Sequence, residues 1–214
     1  MLETEQLRTR IATDLHDDIG ASLSRIAILS EVLAQRGDSK NAALVGQLSE
    51  IAGGARQMIM SMSDIVWAIN PRHDHLRDLA QRMLRFASDV LSVREIEVVF
   101  QAPTDPDLKL DAETRRQVFL IFKEAITNVA RHSGCKRAEI ELLRDQSVPV
   151  LSVRDDGRGL DATKANAGNG LASMQMRAEM LGGKLAIESR AGMGTTIILR
   201  APTGAKGRAR VTAR

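Results

Sequence analysis

The chain has 214 residues and is 43% hydrophobic, which suits a globular protein with one large domain or two smaller ones. Aromatic residues make up only 2%, and the formal net charge of +3 rests on four basic residues of the C-terminal tail, so the near-neutral body argues against direct nucleic-acid binding. The single cysteine excludes an internal disulfide and fits a reducing compartment.

The first third of the chain shows the pattern of two long amphipathic helices. A helix is predicted over 2–36, with a stripe of apolar residues at Ile11, Leu15, Ile19, Ile26, Leu29 and Leu33. The segment RGDSK breaks the pattern, and a second helix is predicted over 41–69, where Pro71 favours an end. Because a lone helical hairpin buries little apolar surface, we expect a homodimeric four-helix bundle.

After Pro71 strands and helices follow one another without regular alternation, which predicts an α+β sandwich. We expect helices at 75–93 and 111–134, a third helix after the loop at 168, and strands at 96–102, 137–143, 148–156, 184–189 and 195–201. The expected domains are the hairpin at 1–70, the sandwich at 71–203 and a basic, disordered tail at 204–214.

One face of the helix predicted at 111–134 collects polar side chains. On a helical wheel Asn128 and Arg131 share a narrow stripe with Glu124, and His132 lies at its edge. The opposite side is apolar, with Val118, Phe122, Ala125, Ile126 and Val129. A carboxylate and an amide oxygen suit Mg²⁺, and arginine suits phosphate. The pattern is equally that of any surface helix, and basic residues in a last turn complement the helix dipole.

Two glycine-bearing turns enclose a short segment of small residues. DDGRG at 155–159 ends an apolar strand, and GNGL at 168–171 opens a helix. Glycines let backbone N–H groups approach a phosphate closely, and a helix N-terminus favours anions. Asp155, at the strand end, can accept a hydrogen bond from an exocyclic amine. Each short glycine motif is weak when taken alone.

In combination these motifs resemble a known family. EAITNVARH, DDGRG, GNGL and GMGT have the order and spacing of the Bergerat-type ATP-binding fold, shared by gyrase, MutL-type repair proteins, a heat-shock chaperone class and sensor histidine kinases. ATDLHDDIGASL resembles the phosphoacceptor helix of histidine kinases that pair with NarL-type response regulators. The resemblance spans about residues 5–200. It implies a dimeric hairpin followed by a Bergerat-type α/β sandwich, with ATP and Mg²⁺ as cofactors and a response regulator receiver domain as partner.

The resemblance also implies roles for individual residues. His16 would be phosphorylated, Asp17 would hold the imidazole proton, and Glu124 would be the acidic partner in the ATP site. Asn128 would bind Mg²⁺, and Asp155 would read the adenine amine. The other positions assigned to the nucleotide are Arg131, His132, Gly157, Gly159, Gly168, Gly170, Leu171 and Thr195. The four glycines would frame a lid over the phosphates.

His16 lies just beyond the apolar edge of its helix, with Ala12 and Gly20 four residues to either side. We interpret these small residues as a notch in which Gly20 leaves room for a nucleotide domain to approach the imidazole. A histidine near an apolar face is also typical of a buried structural residue. Two other functions therefore stay open: a Bergerat-fold ATPase with a bundle that only dimerises, and a catalytically inactive scaffold.

Residue 21 departs from the family pattern. Many relatives that also dephosphorylate their regulator carry glutamine five residues after the histidine, where its carboxamide can hold the attacking water. Here the residue is Ala21, whose methyl group neither donates nor accepts a hydrogen bond. We therefore expect a kinase with weak or no phosphatase activity.

No apolar run approaches the length of about 18 residues that a membrane-spanning helix needs, and no signal peptide opens the chain. We therefore expect a cytoplasmic location, with any membrane attachment coming from a segment upstream.

Overall fold

A computed structural model describes residues 7–8, 10, 15–36, 41–102, 108–145, 148–159 and 169–202, without the side chains of 15–17 and 169. The chain divides into two compact units, Met1–His73 and Asp74–Arg214. The expected tail at 204–214 lies outside the described residues.

The first unit contains a helical hairpin, as predicted. Its elements are a π-helical turn at Leu15–Gly20, helix α1 at Ala21–Arg36, helix α2 at Ala42–Ile69 and a 3₁₀ turn at Pro71–His73. Small side chains lie between the two helices: Ala27 and Ser30 of α1 and Ala52 and Ala55 of α2 are buried. Pro71 follows directly on the extended residue Asn70, where α2 ends.

The π-helical turn differs from the prediction of one continuous α-helix. Its i→i+5 hydrogen bonding inserts one extra residue per turn, and such turns are rare in α-helices. The turn includes the backbone of His16 and ends at Gly20, which is buried. A helical wheel at α-helical spacing therefore misplaces the side-chain directions around His16.

The second unit is built on a five-stranded sheet in the order β1-β2-β3-β5-β4. Its strands are β1 at Glu97–Gln101, β2 at Arg137–Asp145, β3 at Val148–Asp155, β4 at Lys184–Ser189 and β5 at Thr195–Arg200. β1 is parallel to β2, and the other neighbours are antiparallel. The helices are α3 at Leu76–Ser92, α4 at Ala112–Asn128 and α5 at Asn169–Met180.

Helix α4 packs between α3 and α5 and over β3, so the helices cover one face of the sheet. The alternate strand residues that face them are buried, among them Ile140, Leu142, Leu151, Val153 and Leu199. All five apolar residues predicted for the core face of α4 are buried as well. The predicted α/β sandwich is confirmed.

The ends of α4 follow from its sequence. Asp111 caps the N-terminus by accepting a hydrogen bond from the backbone N–H of Thr114 at 2.9 Å. After Asn128 the chain continues in a π-helical turn at Val129–Ser133 and stops at Gly134, whose φ of 63° lies in the left-handed region. The predicted stop at Gly134 is confirmed.

Across the described part of the chain, no helix is both long and apolar enough to cross a membrane.

Candidate functional site

Asp155 is a buried carboxylate at the end of β3. Its side chain accepts a hydrogen bond from the backbone N–H of Gly157 at 2.9 Å, and the residue is 5% exposed. Its partner in the register of β5 is Thr195, the first residue of that strand. The structure therefore brings together two predicted site residues, Asp155 and Thr195, from strands that are 40 residues apart in sequence.

Burial raises the pKa of Asp155 above its ordinary value of 3.8, because it removes water from the charged form. The backbone N–H groups of Gly157 and Thr195 oppose this shift, while the neighbouring Asp156 adds to it. Such a carboxylate is poorly solvated, and a further hydrogen-bond donor from a ligand would stabilise it.

The adjacent Asp156 has a different role. It is exposed, and its carboxylate accepts hydrogen bonds from the backbone N–H groups of Lys136 at 2.9 Å and Arg137 at 3.0 Å. These bonds lower the pKa of Asp156. Asp156 thus ties the loop after β3 to the start of β2 and leaves Asp155 as the buried member of the pair.

Glycines allow backbones to pass one another closely around Asp155. A side chain at Gly157 would collide with the carbonyl oxygen of Ser133, and one at Gly194 with that of Asp155. Gly159 has a φ of 76° and lies against the carbonyl group of Arg190. Glycine is required at 157 and 159 for this packing, and their contribution to a phosphate lid remains a prediction.

Glu124 and Asn128 lie four residues apart on α4 and are both half-buried. Arg131 and His132 are exposed and belong to the π-helical turn, so the α-helical wheel does not describe their direction relative to Glu124. The backbone of this turn is nevertheless part of the site, since Arg158 donates from Nε to the carbonyl oxygen of His132 at 2.7 Å.

The first turn of α5 lies against Glu124. A side chain at Gly170 would collide with Oε1 of that carboxylate. The next residue, Leu171, is half-buried, whereas Gly168 lies outside the described residues. The GNGL motif and the polar face of α4, which lie more than 40 residues apart, therefore meet at Gly170 and Glu124.

The donor set on α4 fits Mg²⁺ that is shared with a nucleotide. The described residues contain no group of three or more His, Cys, Asp and Glu side chains that could hold a metal by themselves. Mg²⁺ is typically held by one or two protein oxygens together with substrate phosphates and water. Asn128 and Glu124 supply an amide and a carboxylate oxygen of the kind this arrangement needs.

The interpretation of Gly20 as an open notch is wrong. Gly20 is buried, and a Cβ atom there would stand 3.1 Å from the terminal methyl group of Met62 on α2. The glycine therefore admits the facing helix of its own hairpin. The side chains of His16 and Asp17 are outside the described set, and Ala21 is exposed.

Sequence patterns assign no role to Ser133 or Arg158, yet both residues organise the site. Ser133 Oγ donates to the carbonyl oxygen of Val129 at 2.7 Å and accepts from the backbone N–H of Cys135 at 3.0 Å. The backbone N–H of Arg158 donates to Ser133 at 2.9 Å, and its carbonyl oxygen accepts from Gly192 at 2.8 Å. The only sequence signal was the position of these residues beside glycines.

Two family models match this chain. Residues 8–74 match a family described as "Histidine kinase", and residues 113–205 match one described as "Histidine kinase-, DNA gyrase B-, and HSP90-like ATPase". Both family descriptions name histidine kinases, and the two matches follow one another along the chain. The first match contains His16, and the second contains Glu124, Asn128 and Asp155.

Curated histidine kinases align with nearly the whole chain. The sensor histidine kinases LiaS and DesK of Bacillus subtilis are each 26% identical to it, over 91% and 93% of this chain and 54% and 52% of their own lengths. The kinase/phosphatase UhpB of Salmonella typhimurium is 28% identical, over 93% of this chain and 40% of its own length. The chain spans about half the length of these relatives, or less.

Solved histidine kinases share the fold. The histidine kinase domain of a blue-light activated kinase from Erythrobacter litoralis has a TM-score of 0.55 at 20% identity, covering 91% of this chain and all of that domain. The histidine kinase AdeS of Acinetobacter baumannii has a TM-score of 0.55 at 15% identity, over 78% of this chain and 86% of that protein.

The raised pKa of Asp155 predicts a pH dependence of stability. Between pH 3.8 and the folded-state pKa, the folded protein binds more protons than the unfolded chain, so the contribution of Asp155 to the free energy of unfolding falls as pH rises. We expect the parent to lose stability relative to Asp155→Asn across this window, with a constant difference at higher pH. Urea denaturation of both proteins at a series of pH values measures their free energies of unfolding. A parent whose stability relative to Asp155→Asn stays constant or rises with pH in this window would contradict the prediction.

Proposed function

We propose that this protein is an ATP-dependent histidine autokinase of a two-component system. It transfers the γ-phosphoryl group of ATP to His16 and then passes it to an aspartate of a response regulator, for which the NarL type is the proposed class. One observation carries the proposal. A single chain contains a histidine kinase family match that includes His16 and an ATPase family match that includes the buried Asp155.

The nucleotide site is proposed to work through three side chains. Asp155 accepts a hydrogen bond from the adenine amine, for which its poorly solvated carboxylate is suited. Asn128 holds Mg²⁺, and Glu124 is its acidic neighbour one helical turn away. When bound, Mg²⁺ neutralises charge on the phosphates and orients them.

His16 is proposed as the nucleophile. Neutral imidazole has one nitrogen that carries a proton and one with a free lone pair. Asp17 holds the proton on Nδ1, and Nε2 attacks the γ-phosphorus. The new N–P bond forms as the bond between that phosphorus and the β,γ-bridging oxygen breaks, and ADP leaves. Four glycines are proposed to frame the lid over the phosphates: Gly157, Gly159, Gly168 and Gly170. The other residues proposed to bind the nucleotide are Arg131, His132, Leu171 and Thr195.

We also propose a cytoplasmic location. Cys135, the only cysteine, is a free, buried thiol, which is consistent with a reducing compartment.

Substitutions of His16 and Asn128 test the proposed kinase activity. His16→Gln removes the nucleophile, so we expect no acid-labile, alkali-stable label from γ-labelled ATP and unchanged affinity for Mg·ATP. Asn128→Ala should weaken Mg·ATP affinity about tenfold, which corresponds to roughly 1.4 kcal/mol for one lost contact, and should stop labelling. Label that persists in His16→Gln would exclude His16. ATP hydrolysis without phosphohistidine in the parent would favour an ATPase, and neither activity would favour an inactive scaffold.

A homodimer is the proposed assembly of the first unit. Large apolar residues are exposed at spacings of seven on both arms of the hairpin. They are Ile19, Ile26 and Leu33 on the π-helical turn and α1, and Leu44, Ile51, Met58 and Ile65 on α2. Their exposed fractions range from 37% to 55%, which is unusual for residues of this size on a hairpin whose buried residues are mostly small. A seven-residue apolar repeat is the pattern that packs helices into bundles, and a second copy supplies the matching stripes.

Two neighbouring methionines of α2 test this assembly. Met58 lies on the stripe and is 55% exposed, whereas Met60 lies off it and is 48% exposed. We expect Met58→Asp to weaken the dimer by at least about tenfold, because it buries a charge in the interface, and Met60→Asp to leave it unchanged. Sedimentation equilibrium over a range of protein concentrations measures both. Equal effects of the two substitutions, or a monomeric parent, would rule out this interface.

Phosphatase activity is proposed to be weak. Ala21 is exposed at the start of α1 and cannot hold a water molecule by hydrogen bonding. The relative UhpB is named as a kinase/phosphatase, so the second activity occurs within the family.

Replacing Ala21 tests the phosphatase proposal. We expect slow loss of phosphate from the phosphorylated regulator in the presence of the parent, ADP and Mg²⁺. Ala21→Gln should increase that rate about tenfold or more, because orientation of a water is worth several kcal/mol in favourable cases. Rapid dephosphorylation by the parent would refute the proposal, and an unchanged rate in Ala21→Gln would show that more than this carboxamide is missing.

A further inference from the structure

The first residue of the second unit, Asp74, forms an ion pair with a buried arginine. Arg115, on the first turns of α4, is 1% exposed, and its Nη1 contacts Oδ1 of Asp74. The same nitrogen donates to the carbonyl oxygen of Leu110 at 2.9 Å. A guanidinium group buried to this degree requires a charged partner, so Asp74 is held firmly on α4.

The backbone reinforces this anchor. The N–H of Leu110 donates to the carbonyl oxygen of Asp74 at 2.7 Å, and the N–H of Leu76 donates to that of Leu108 at 2.8 Å. His75 and Lys109 form an antiparallel bridge between these bonds. The unit therefore has an ordered edge at its very first residue.

The first unit is ordered up to its last residue in a similar way. The ring of His73 stacks on that of Trp67 in α2, with centroids 5.2 Å apart and planes inclined by 12°. Asn70 accepts a hydrogen bond at Oδ1 from the backbone N–H of Arg72 at 3.0 Å, and its carbonyl oxygen accepts one from His73 at 3.2 Å. The turn after α2 is thus folded back on that helix.

Consecutive residues are therefore anchored on different units, His73 on α2 and Asp74 on α4. We infer that Asp74 is a positioning residue for autophosphorylation: by pairing with Arg115 it keeps the chain between the phosphoacceptor hairpin and the ATPase unit at its minimum length. This inference rests on the proposed kinase function. Because Glu124 and Asn128 lie on the same α4 as Arg115, the anchor connects the hairpin directly to the helix that carries the proposed ATP-site residues.

The physical reason is effective concentration. Two reacting groups joined by a short, stiff linker have a higher effective concentration than two groups joined by a long, flexible one. Small errors in their alignment also reduce the rate of group transfer strongly. Without the ion pair, Asp74 is held only through its backbone hydrogen bond with Leu110, and the connection gains freedom. Binding of ATP to the second unit would not depend on that freedom.

The test compares two aspartates of the same segment. Asp74→Asn removes the charge that pairs with Arg115. Asp78→Asn removes a charge from the same segment, keeps an amide oxygen that can accept from the backbone N–H of His75, and leaves the ion pair intact. We expect Asp74→Asn to lower the autophosphorylation rate about tenfold with the KM for ATP within twofold of the parent, Asp74→Glu to restore part of the rate, and Asp78→Asn to retain it. A parallel loss of ATP affinity in Asp74→Asn, or equal rates for both asparagine variants, would overturn the inference.

An insertion tests the same idea without disturbing either anchor. Two glycines placed between His73 and Asp74 keep the ring stack and the ion pair but lengthen the connection. We expect the same loss of rate with unchanged ATP affinity. A parent-like rate would overturn the inference even if Asp74→Asn fails to fold. A parent that forms no phosphohistidine would instead contradict the proposed function.

Discussion

The burial of one carboxylate constrains the whole ATPase unit. Asp155 can stay available as an acceptor only if its loss of hydration is offset, and backbone N–H groups of Gly157 and Thr195 do this. The two donors come from the loop after β3 and from the start of β5, so both segments must pass close to the strand end. That approach requires glycine at 157 and 194. The sheet order, which places β5 beside β3, thus serves the site directly.

The two units bury apolar surface in different ways. The ATPase unit encloses large side chains between helices and sheet, including Phe119 and Phe122 on α4. The hairpin places mostly alanine and serine between its own helices and exposes many of its large apolar residues. Its interior therefore contributes little hydrophobic free energy, because buried apolar area determines that contribution. Most of the large apolar surface of the hairpin is therefore left exposed to solvent when the hairpin is alone.

Much of the architecture could be predicted because hydrophobic periodicity and the residues that begin or end helices are local signals in the sequence. Asp111, Pro71 and Gly134 each mark an element end in the sequence, and the structure has the ends there. In the candidate site, the proximity of Asp155 and Thr195 could be predicted, because both lie in motifs of the ATP-binding fold, DDGRG and GMGT. The π-helical turns could not be predicted, since i→i+5 bonding has no residue signature of its own. The contacts of Gly20 with Met62 and of Asp74 with Arg115 join residues about 40 positions apart, and charge or size patterns do not identify such pairs.

The aromatic composition gives the stack at the end of α2 an optical consequence. The chain has one tryptophan, no tyrosine and four phenylalanines, so near-ultraviolet absorption and intrinsic emission come almost entirely from Trp67. Its indole ring lies in contact with the imidazole of His73, the last residue of the first unit. The protein therefore carries a native fluorophore at its interdomain joint, and changes in emission on adding nucleotide or regulator report on that joint without any label.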